Sequence, residues 1–489
     1  MHLTCFLLTL FTLLTVPCLQ THAAQAQPRP NIIFILADDL GINDLHCYGR
    51  GEHHTPHLDR LASQGMRFTS AYCAQPICSP SRAAILTGKT PARLHLTTYL
   101  PGRPDCVSQK VLHPEIRMQV PLEEKTIANY FKEAGYVSAA IGKWHVGGEG
   151  FGPLEHGFDL YHPGQANTKP SAREGGKGEY DLTAAAEKFI ETNRDRPFLL
   201  YLAHNSPHIP YAAQPSRVEN NAQAFEPVYA GVIETLDDAV GRLLAKLDAL
   251  KLTDQTIVIF TSDNGGLHVP EGPHPRVTHN SPYRAGKGFV YEGGLRIPLI
   301  VRWPGHVPPA ALVDTPVINT DWLPTLLGLA GLPVPAGLDG VSLAALLTER
   351  GPVPKRSLFW HFPHYTNQGS RPSGAMREGP WMLVEYYDAE NVELYDLSSD
   401  PGQRRDLAAS HSERIAQMRA ALADWRRSVK AQENRPNPNF DFSTYRQLYI
   451  DVDAGRFEPA QADSSQWESI WRWRKTMNEV LAGNRNVKP

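Results

Sequence analysis

Asn31-Ile32-Ile33-Phe34-Ile35-Leu36-Ala37 is a continuous apolar, β-branched run that ends in Asp38-Asp39-Leu40-Gly41. A half-buried strand alternates apolar and polar positions; a run that is apolar throughout reads as a strand covered on both faces, as in a parallel sheet flanked by helices. In open sheets of this kind ligands bind beyond the carboxyl ends of the strands, which puts the two acids at a functional edge. Asp38-Asp39 alone would be read as a polar turn. The pattern recurs, however, in Thr256-Ile257-Val258-Ile259-Phe260-Thr261, which ends in Ser262-Asp263-Asn264-Gly265-Gly266. Three carboxylates and an amide at one sheet edge repel one another without a cation. An all-oxygen set suits a hard divalent ion, Ca²⁺ or Mg²⁺, rather than zinc.

Between these two strands the alternation of helix and strand occurs twice more. A helix predicted over 127–134 precedes the strand Val137–Ile141, which runs into Gly142-Lys143-Trp144-His145. A helix predicted over 182–192 precedes Phe198–Leu202, which runs into His204-Asn205-Ser206-Pro207-His208. Basic groups are thereby delivered to the same edge as the acids. Ile233, Leu236, Val240, Leu243 and Leu247 at helical spacing predict a helix over 228–250 packed on the sheet. A further strand is predicted over 297–301 and a helix over 321–330. Gly351, Pro352 and Pro354 mark a change of texture, beyond which short half-polar strands over 358–362, 376–377, 381–387 and 392–396 predict a small antiparallel sheet. Helices over 412–429 and 465–481 complete the chain, with a linker over 434–442 between them. The fold class expected is α/β: a large, mostly parallel sheet flanked by helices, with a smaller C-terminal antiparallel-sheet subdomain packed by a helix. The division expected is a signal peptide over 1–26, a catalytic domain over 27–350 and a C-terminal subdomain over 351–489.

Composition narrows the partners. With 489 residues, 42% hydrophobic, 20% charged and a formal charge of −3, the chain is an ordinary globular protein without the basic excess of a nucleic-acid binder. An anionic substrate therefore has to be met by local Arg and Lys groups. Leu3 to Val16 is a short apolar run followed by Pro17 and the A-x-A site Ala24-Gln25-Ala26, which predicts a secretory signal and export to the periplasm or exterior. Its leading segment has His2 but no Lys or Arg. The run is too short to span a bilayer and no later segment reaches that length, so no stable membrane insertion is expected. Cys5 and Cys18 leave with the signal.

Cys78-Ser79-Pro80-Ser81-Arg82 opens an apolar stretch ending in Thr87-Gly88. Ser79 is a good helix cap, Pro80 suits the first turn and Gly88 closes the helix, so Cys78 is expected just before a helix N-terminus with Arg82 one turn in. Free N–H groups and the dipole make that position an anion socket beside a nucleophile.

Cys78-x-Pro80-Ser81-Arg82 with Thr87-Gly88 resembles the signature of the type I, formylglycine-dependent sulfatases of the alkaline phosphatase superfamily. Gly142-Lys143-Trp144-His145, Pro207-His208, the stretch from Pro282 to Pro298, and Leu394-Tyr395-Asp396-Leu397 with Asp400-Pro401 resemble the same family, so the likeness runs from Asn31 to Leu407. The resemblance implies that a formylglycine-generating or equivalent maturation enzyme oxidises Cys78 to formylglycine (3-oxoalanine), whose hydrate is the nucleophile. It implies metal ligands at Asp38, Asp39, Asp263, Asn264 and the modified Cys78, with Ca²⁺ preferred to Mg²⁺. Arg82 and Lys143 are then expected to orient the hydrate, His208 to protonate the leaving oxygen and His145 to act as base, these two roles being exchangeable on sequence alone, and Lys287 to hold the sulfate. If Cys78 is modified, Cys47, Cys73 and Cys106 allow at most one disulfide.

The substrate class expected is a sulfated saccharide, touched by Lys143, His208 and Lys287. In Trp360-His361-Phe362-Pro363-His364-Tyr365, His361 and His364 are further candidates together with Arg377, packing being the other reading. The rival functions are a phosphonate or phosphodiester hydrolase of the same superfamily and a non-catalytic binder of sulfated glycans.

Overall fold

In the computed structural model, which describes residues 29–485, the run Asn31–Asp38 is a strand buried at every position. The predicted signal peptide lies outside the described residues. Two parallel neighbours, Thr256–Ser262 and Phe198–Pro207, flank this strand, with Ile33 opposite Val258 on one side and Leu200 on the other. Across the nine-stranded sheet the order is Val317–Ile318, Met66–Tyr72, Arg296–Arg302, Thr256–Ser262, Asn31–Asp38, Phe198–Pro207, Val137–Gly142 and Leu160–His162, with Ala311–Val313 also pairing with Met66–Tyr72.

Direction matters more here than order. Thr256–Ser262, Asn31–Asp38, Phe198–Pro207 and Val137–Gly142 are parallel and adjacent, so their four carboxyl ends open on one edge. Arg296–Arg302 is antiparallel to both of its main neighbours. Met66–Tyr72 therefore runs with the central four and ends on their edge, where it leads into the helix Cys78–Thr87. The helix Pro227–Ala249 packs on the strand Phe198–Pro207 and the helix Glu179–Thr192, burying Ile233, Leu236, Val240, Leu243 and Leu247.

The smaller sheet is antiparallel, in the order Leu358–Phe362, Ser373–Glu378, Trp381–Tyr386, Val392–Asp396. Period-two alternation splits its side chains. Met376, Leu383 and Leu394 meet Met418 and Leu422 of the helix Ser412–Ser428 in a small separate cluster. Trp360, Phe362, Ala375, Met382, Val384 and Tyr395 point the other way and join the main core. The two sheets are thus separate in pairing, while the main apolar core takes in residues of both. The last helix, Ser464–Arg485, buries Trp467, Ile470 and Trp473 as its spacing suggests, but leaves Trp471 40% exposed with its indole N–H donating to the Pro275 carbonyl at 2.8 Å.

Candidate active site

The helix Cys78–Thr87 begins two residues earlier than its sequence suggests: Ile77, in extended conformation, occupies the cap position and Cys78 is the first helical residue. Ser79 is not the cap; its hydroxyl accepts from the Leu100 N–H at 3.0 Å. Gly88, at φ +65°, closes the helix as expected. All ten helix residues are buried. A helix buried on every side holds Cys78 and Arg82 with little freedom.

Arg82 binds three segments together. Its Nε donates to Asp263 Oδ2 at 2.8 Å, a terminal nitrogen donates to the Lys143 carbonyl at 2.9 Å, and the other lies 3.7 Å from Asp38 Oδ1. Asp39 Oδ1 accepts from the Asn264 amide at 2.8 Å, and the Asp39 N–H donates to Asp263 Oδ1 at 3.1 Å. Lys143 Nζ is 2.5 Å from Asp38 Oδ2, and Lys287 Nζ is 2.7 Å from Asp39 Oδ2. Cys78 Sγ lies 4.0 Å from Asp39 Oδ1, and His208 Nε2 lies 3.7 Å from Asp39 Oδ2. Asp39 and His145 adopt left-handed backbone conformations, φ +65° and +59°. For side-chain-bearing residues such conformations persist only where the surroundings impose them, and they gather at functional sites.

The cluster fits a hard cation. Asp38, Asp39, Asp263 and Asn264 are at most 3% exposed. Asp38 Oδ1 and Asn264 Oδ1 are buried without a hydrogen-bond partner, an expensive state for oxygen atoms that a cation would relieve. Ligand atoms of Asp38, Asp39, Cys78 and His208 lie within 4.8 Å of one another. Burial pushes the Asp38 carboxyl up, but Lys143, helped by His208 and Arg82, outweighs it and holds the group well below the usual carboxylate range. Burial and the charge of Asp38 push Asp263 up to about 7 despite Arg82. Burial also pushes the Cys78 thiol up to about 12, so a thiol here is a poor nucleophile. Burial and Lys143 drive His145 down to about 3, leaving a neutral ring; its Nε2 meets the Leu100 carbonyl at 2.9 Å and its buried Nδ1 has no partner. Burial and Lys287 also lower His208.

Cys78, Arg82, Lys143, His208, Lys287, Asp38, Asp39, Asp263 and Asn264 therefore form one cluster, with His145 beside it on the Lys143 turn. The three second-domain candidates are spent on packing. His361 is 1% exposed, its ring nitrogens engaged by the Tyr387 hydroxyl at 2.9 Å and the Gln432 carbonyl at 2.8 Å. His364 is 2% exposed and meets the Thr97 hydroxyl at 2.8 Å. Arg377 lies over the Tyr72 ring, 5.1 Å from its centroid. The saccharide-contact expectation for these residues gives way to the packing one: His361 lies on the face of its strand opposite Trp360 and Phe362, where Tyr387 and the Gln432 carbonyl close over it.

Sequence reasoning missed Asp44. Fully buried, it accepts from the Gly41 N–H at 2.7 Å, the Tyr229 hydroxyl at 2.6 Å and the Thr278 hydroxyl at 2.7 Å, and it pairs with Arg50. These bonds pin the Asp38–Gly41 turn. Partners so widely spaced leave no local signal.

Comparison with known proteins gives the family. A family model for sulfatases matches residues 30–332, and a model for the C-terminal region of N-sulphoglucosamine sulphohydrolase matches residues 285–428. Human arylsulfatase A is 36% identical over 451 residues, covering 78% of this chain and 84% of that protein. Human N-acetylgalactosamine-6-sulfatase is 32% identical, covering 80% and 84%. Among solved structures, Ps i-CgsB superposes with a TM-score of 0.71 at 28% identity over 81% of this chain and 93% of its own, and it is also known in complex with k-i-k-neocarrahexaose. A match over most of the chain, together with these relatives, places this protein in the sulfatase family, the hydrolases of sulfate esters.

Proposed function

We propose that this sulfatase hydrolyses sulfate monoesters on sulfated saccharides, using the hydrate of formylglycine made from Cys78 as nucleophile and a bound Ca²⁺. The observation that carries this reading is the buried Cys78 at the start of its helix, among Lys143, Lys287, Arg82, His208 and three carboxylates. As a thiol raised to about 12 it is inert, which suits a residue that acts only after oxidation.

Asp38, Asp39, Asp263 and Asn264, with the modified Cys78, would hold the divalent cation. When bound it polarises sulfate oxygens and eases ionisation of a hydroxyl beside it. The hydrate supplies two geminal hydroxyls: one attacks sulfur, and loss of the proton from the other expels sulfate by C–O cleavage. Arg82, immobile between Asp263 and Asp38, fixes the start of the helix and so the direction of attack. Lys143 and Lys287 turn from their carboxylates towards the sulfate oxygens and hold them. His208 gives its proton to the saccharide oxygen as the S–O bond breaks; the negative charge of a bound sulfate favours the protonated ring that its burial disfavours. His145, kept neutral, takes the proton of the remaining hydroxyl.

Saccharide as the substrate class is supported by the relative named for N-acetylgalactosamine and by the neocarrahexaose complex of Ps i-CgsB. Maturation by a formylglycine-generating or equivalent enzyme and export through residues 1–26 belong to the same reading.

Mass spectrometry of the tryptic peptide Phe68–Arg82 from protein made in its own host tests it, alongside rates on sulfated oligosaccharides and on aryl phosphodiesters. An aldehyde at position 78 with saccharide sulfate release is expected. An unmodified thiol in active protein overturns the nucleophile, and faster phosphodiester cleavage overturns the substrate class. Chelation should abolish activity and lower the melting temperature, both being restored by Ca²⁺; equal restoration by Mg²⁺ would remove the preference for calcium.

A further inference from the structure

The turn that carries His208 is gripped from outside the cluster by one short segment, Gly175-Gly176-Lys177-Gly178-Glu179. The first four of these residues all have positive φ, between +55° and +97°. At Gly176 a Cβ would stand 2.4 Å from the Ala212 carbonyl oxygen, so the segment runs directly against the chain just past His208. Glu179 is fully buried; it accepts from the Asn205 N–H at 3.1 Å and the Ser206 N–H at 2.8 Å, and it meets the His204 ring. Lys177 is 2% exposed; its Nζ donates to the Pro210 carbonyl at 2.9 Å and to Asn167 Oδ1 at 3.4 Å, while its own carbonyl accepts from the Asn205 amide at 3.2 Å.

A buried ammonium normally sits on a carboxylate. Among the described residues none lies within ion-pair distance of Lys177, and its charge is spent on a backbone carbonyl two residues beyond His208. Glu179 grips the chain on one side of His208 and Lys177 grips it on the other. Among the described residues the His208 ring itself has only its Nδ1 contact with the Ile209 carbonyl, at 2.6 Å, and the 3.7 Å approach to Asp39.

We propose that Lys177 and Glu179 form a bracket that sets His208 against the leaving oxygen of the substrate, with Lys177 a positioning residue for proton transfer. The inference rests on the assignment of His208 as the acid. A proton donor matters in proportion to the basicity of the leaving group: 4-nitrophenolate departs without one and a sugar alkoxide does not. Displacement of a catalytic group by about 1 Å costs on the order of 100-fold in rate.

The test is kcat/KM over a series of aryl and saccharide sulfates for the native enzyme, Lys177→Met, Lys177→Arg and His208→Ala. Methionine keeps much of the length of the side chain without a buried charge, so Lys177→Met is expected to fold, with circular dichroism as the check. It should keep the native rate on 4-nitrophenyl sulfate within a few-fold yet lose roughly 100-fold on saccharide sulfate, paralleling the steeper leaving-group dependence of His208→Ala. Lys177→Arg, which keeps a donor for the Pro210 carbonyl, should recover most of that loss and carries the test if the methionine variant does not fold. A native leaving-group dependence in Lys177→Met, with a steep one in His208→Ala, overturns the bracket alone. Native dependence in both overturns the acid assignment and the bracket with it.

Discussion

The Arg82 guanidinium has no solvent exposure and is shared between Asp263, the Lys143 carbonyl and, more distantly, Asp38, so three chain segments meet on one planar group. Lysine offers a point charge in place of that fork and cannot serve all three. Arg82→Lys should therefore destabilise the fold by about 3 kcal/mol, the range for breaking a buried pair, and leave the folded fraction inactive; urea midpoints and turnover on aryl sulfate check both. Cys78→Ser is a different case, because serine fits the site. The variant should fold with native stability and release at most one slow equivalent of alcohol, since a serine sulfate has no second hydroxyl to expel it. Steady-state turnover at the native rate would remove the hydrate from the proposed chemistry.

Each strand end in the central sheet does more than stop. Asn31–Asp38, Thr256–Ser262, Phe198–Pro207 and Val137–Gly142 lie side by side and parallel, so the turns after them form a continuous rim of acids, an amide, lysine and histidines. Gly142 shows how closely the rim is built: it has φ +93°, and a Cβ there would lie 1.9 Å from the Ala203 carbonyl oxygen. That oxygen also accepts from the Lys143 N–H at 3.0 Å. Gly142→Ala should cost at least about 2 kcal/mol from the backbone conformation. It should cut kcat more than KM rises, because Lys143 and His145 follow directly; denaturant titration and steady-state kinetics separate the two effects. The four central strands were legible because nearly unbroken apolar runs mark strands covered on both faces. Met66–Tyr72 was not: Arg67 and Thr69 alternate with buried neighbours at the side of the sheet, which breaks the run. Yet it is this strand that carries the chain to Cys78 at the functional edge.

The main apolar core includes residues from both parts of the chain, and several buried histidines are held neutral. Burial, with Arg103, drives His113 down to about 3; burial, with Arg426, drives His361 to about 3; burial alone takes His268 to about 4. His364 lies well below its ordinary value, its ring 5.2 Å from that of His113. In the unfolded chain such groups take up protons near 6.5, whereas in the folded chain they do so only around 3 to 4. Their contribution to stability is therefore complete above about pH 6.5 and is lost as pH falls through the window below it, by up to about 1.4 kcal/mol per pH unit for each group. Urea midpoints should fall steeply between neutral pH and pH 5, and His361→Gln should make the slope shallower. An unchanged slope would place a charged ring in that pocket.

Residue order alone was enough to identify the four central strands, the acids and bases at their carboxyl ends, a helix between Cys78 and Gly88 and the small antiparallel sheet, because apolar periodicity and turn chemistry are local properties. It could not decide between packing and substrate contact for His361 and His364, since a histidine looks the same in sequence whether it faces a core or a cleft. Nor could it reveal Asp44, held by Tyr229 and Thr278, or the grip of Lys177 and Glu179 on the His208 turn. Those arrangements depend on bonds between residues tens to hundreds of positions apart. They exist only once the sheet has brought its strands into register and excluded water from between them.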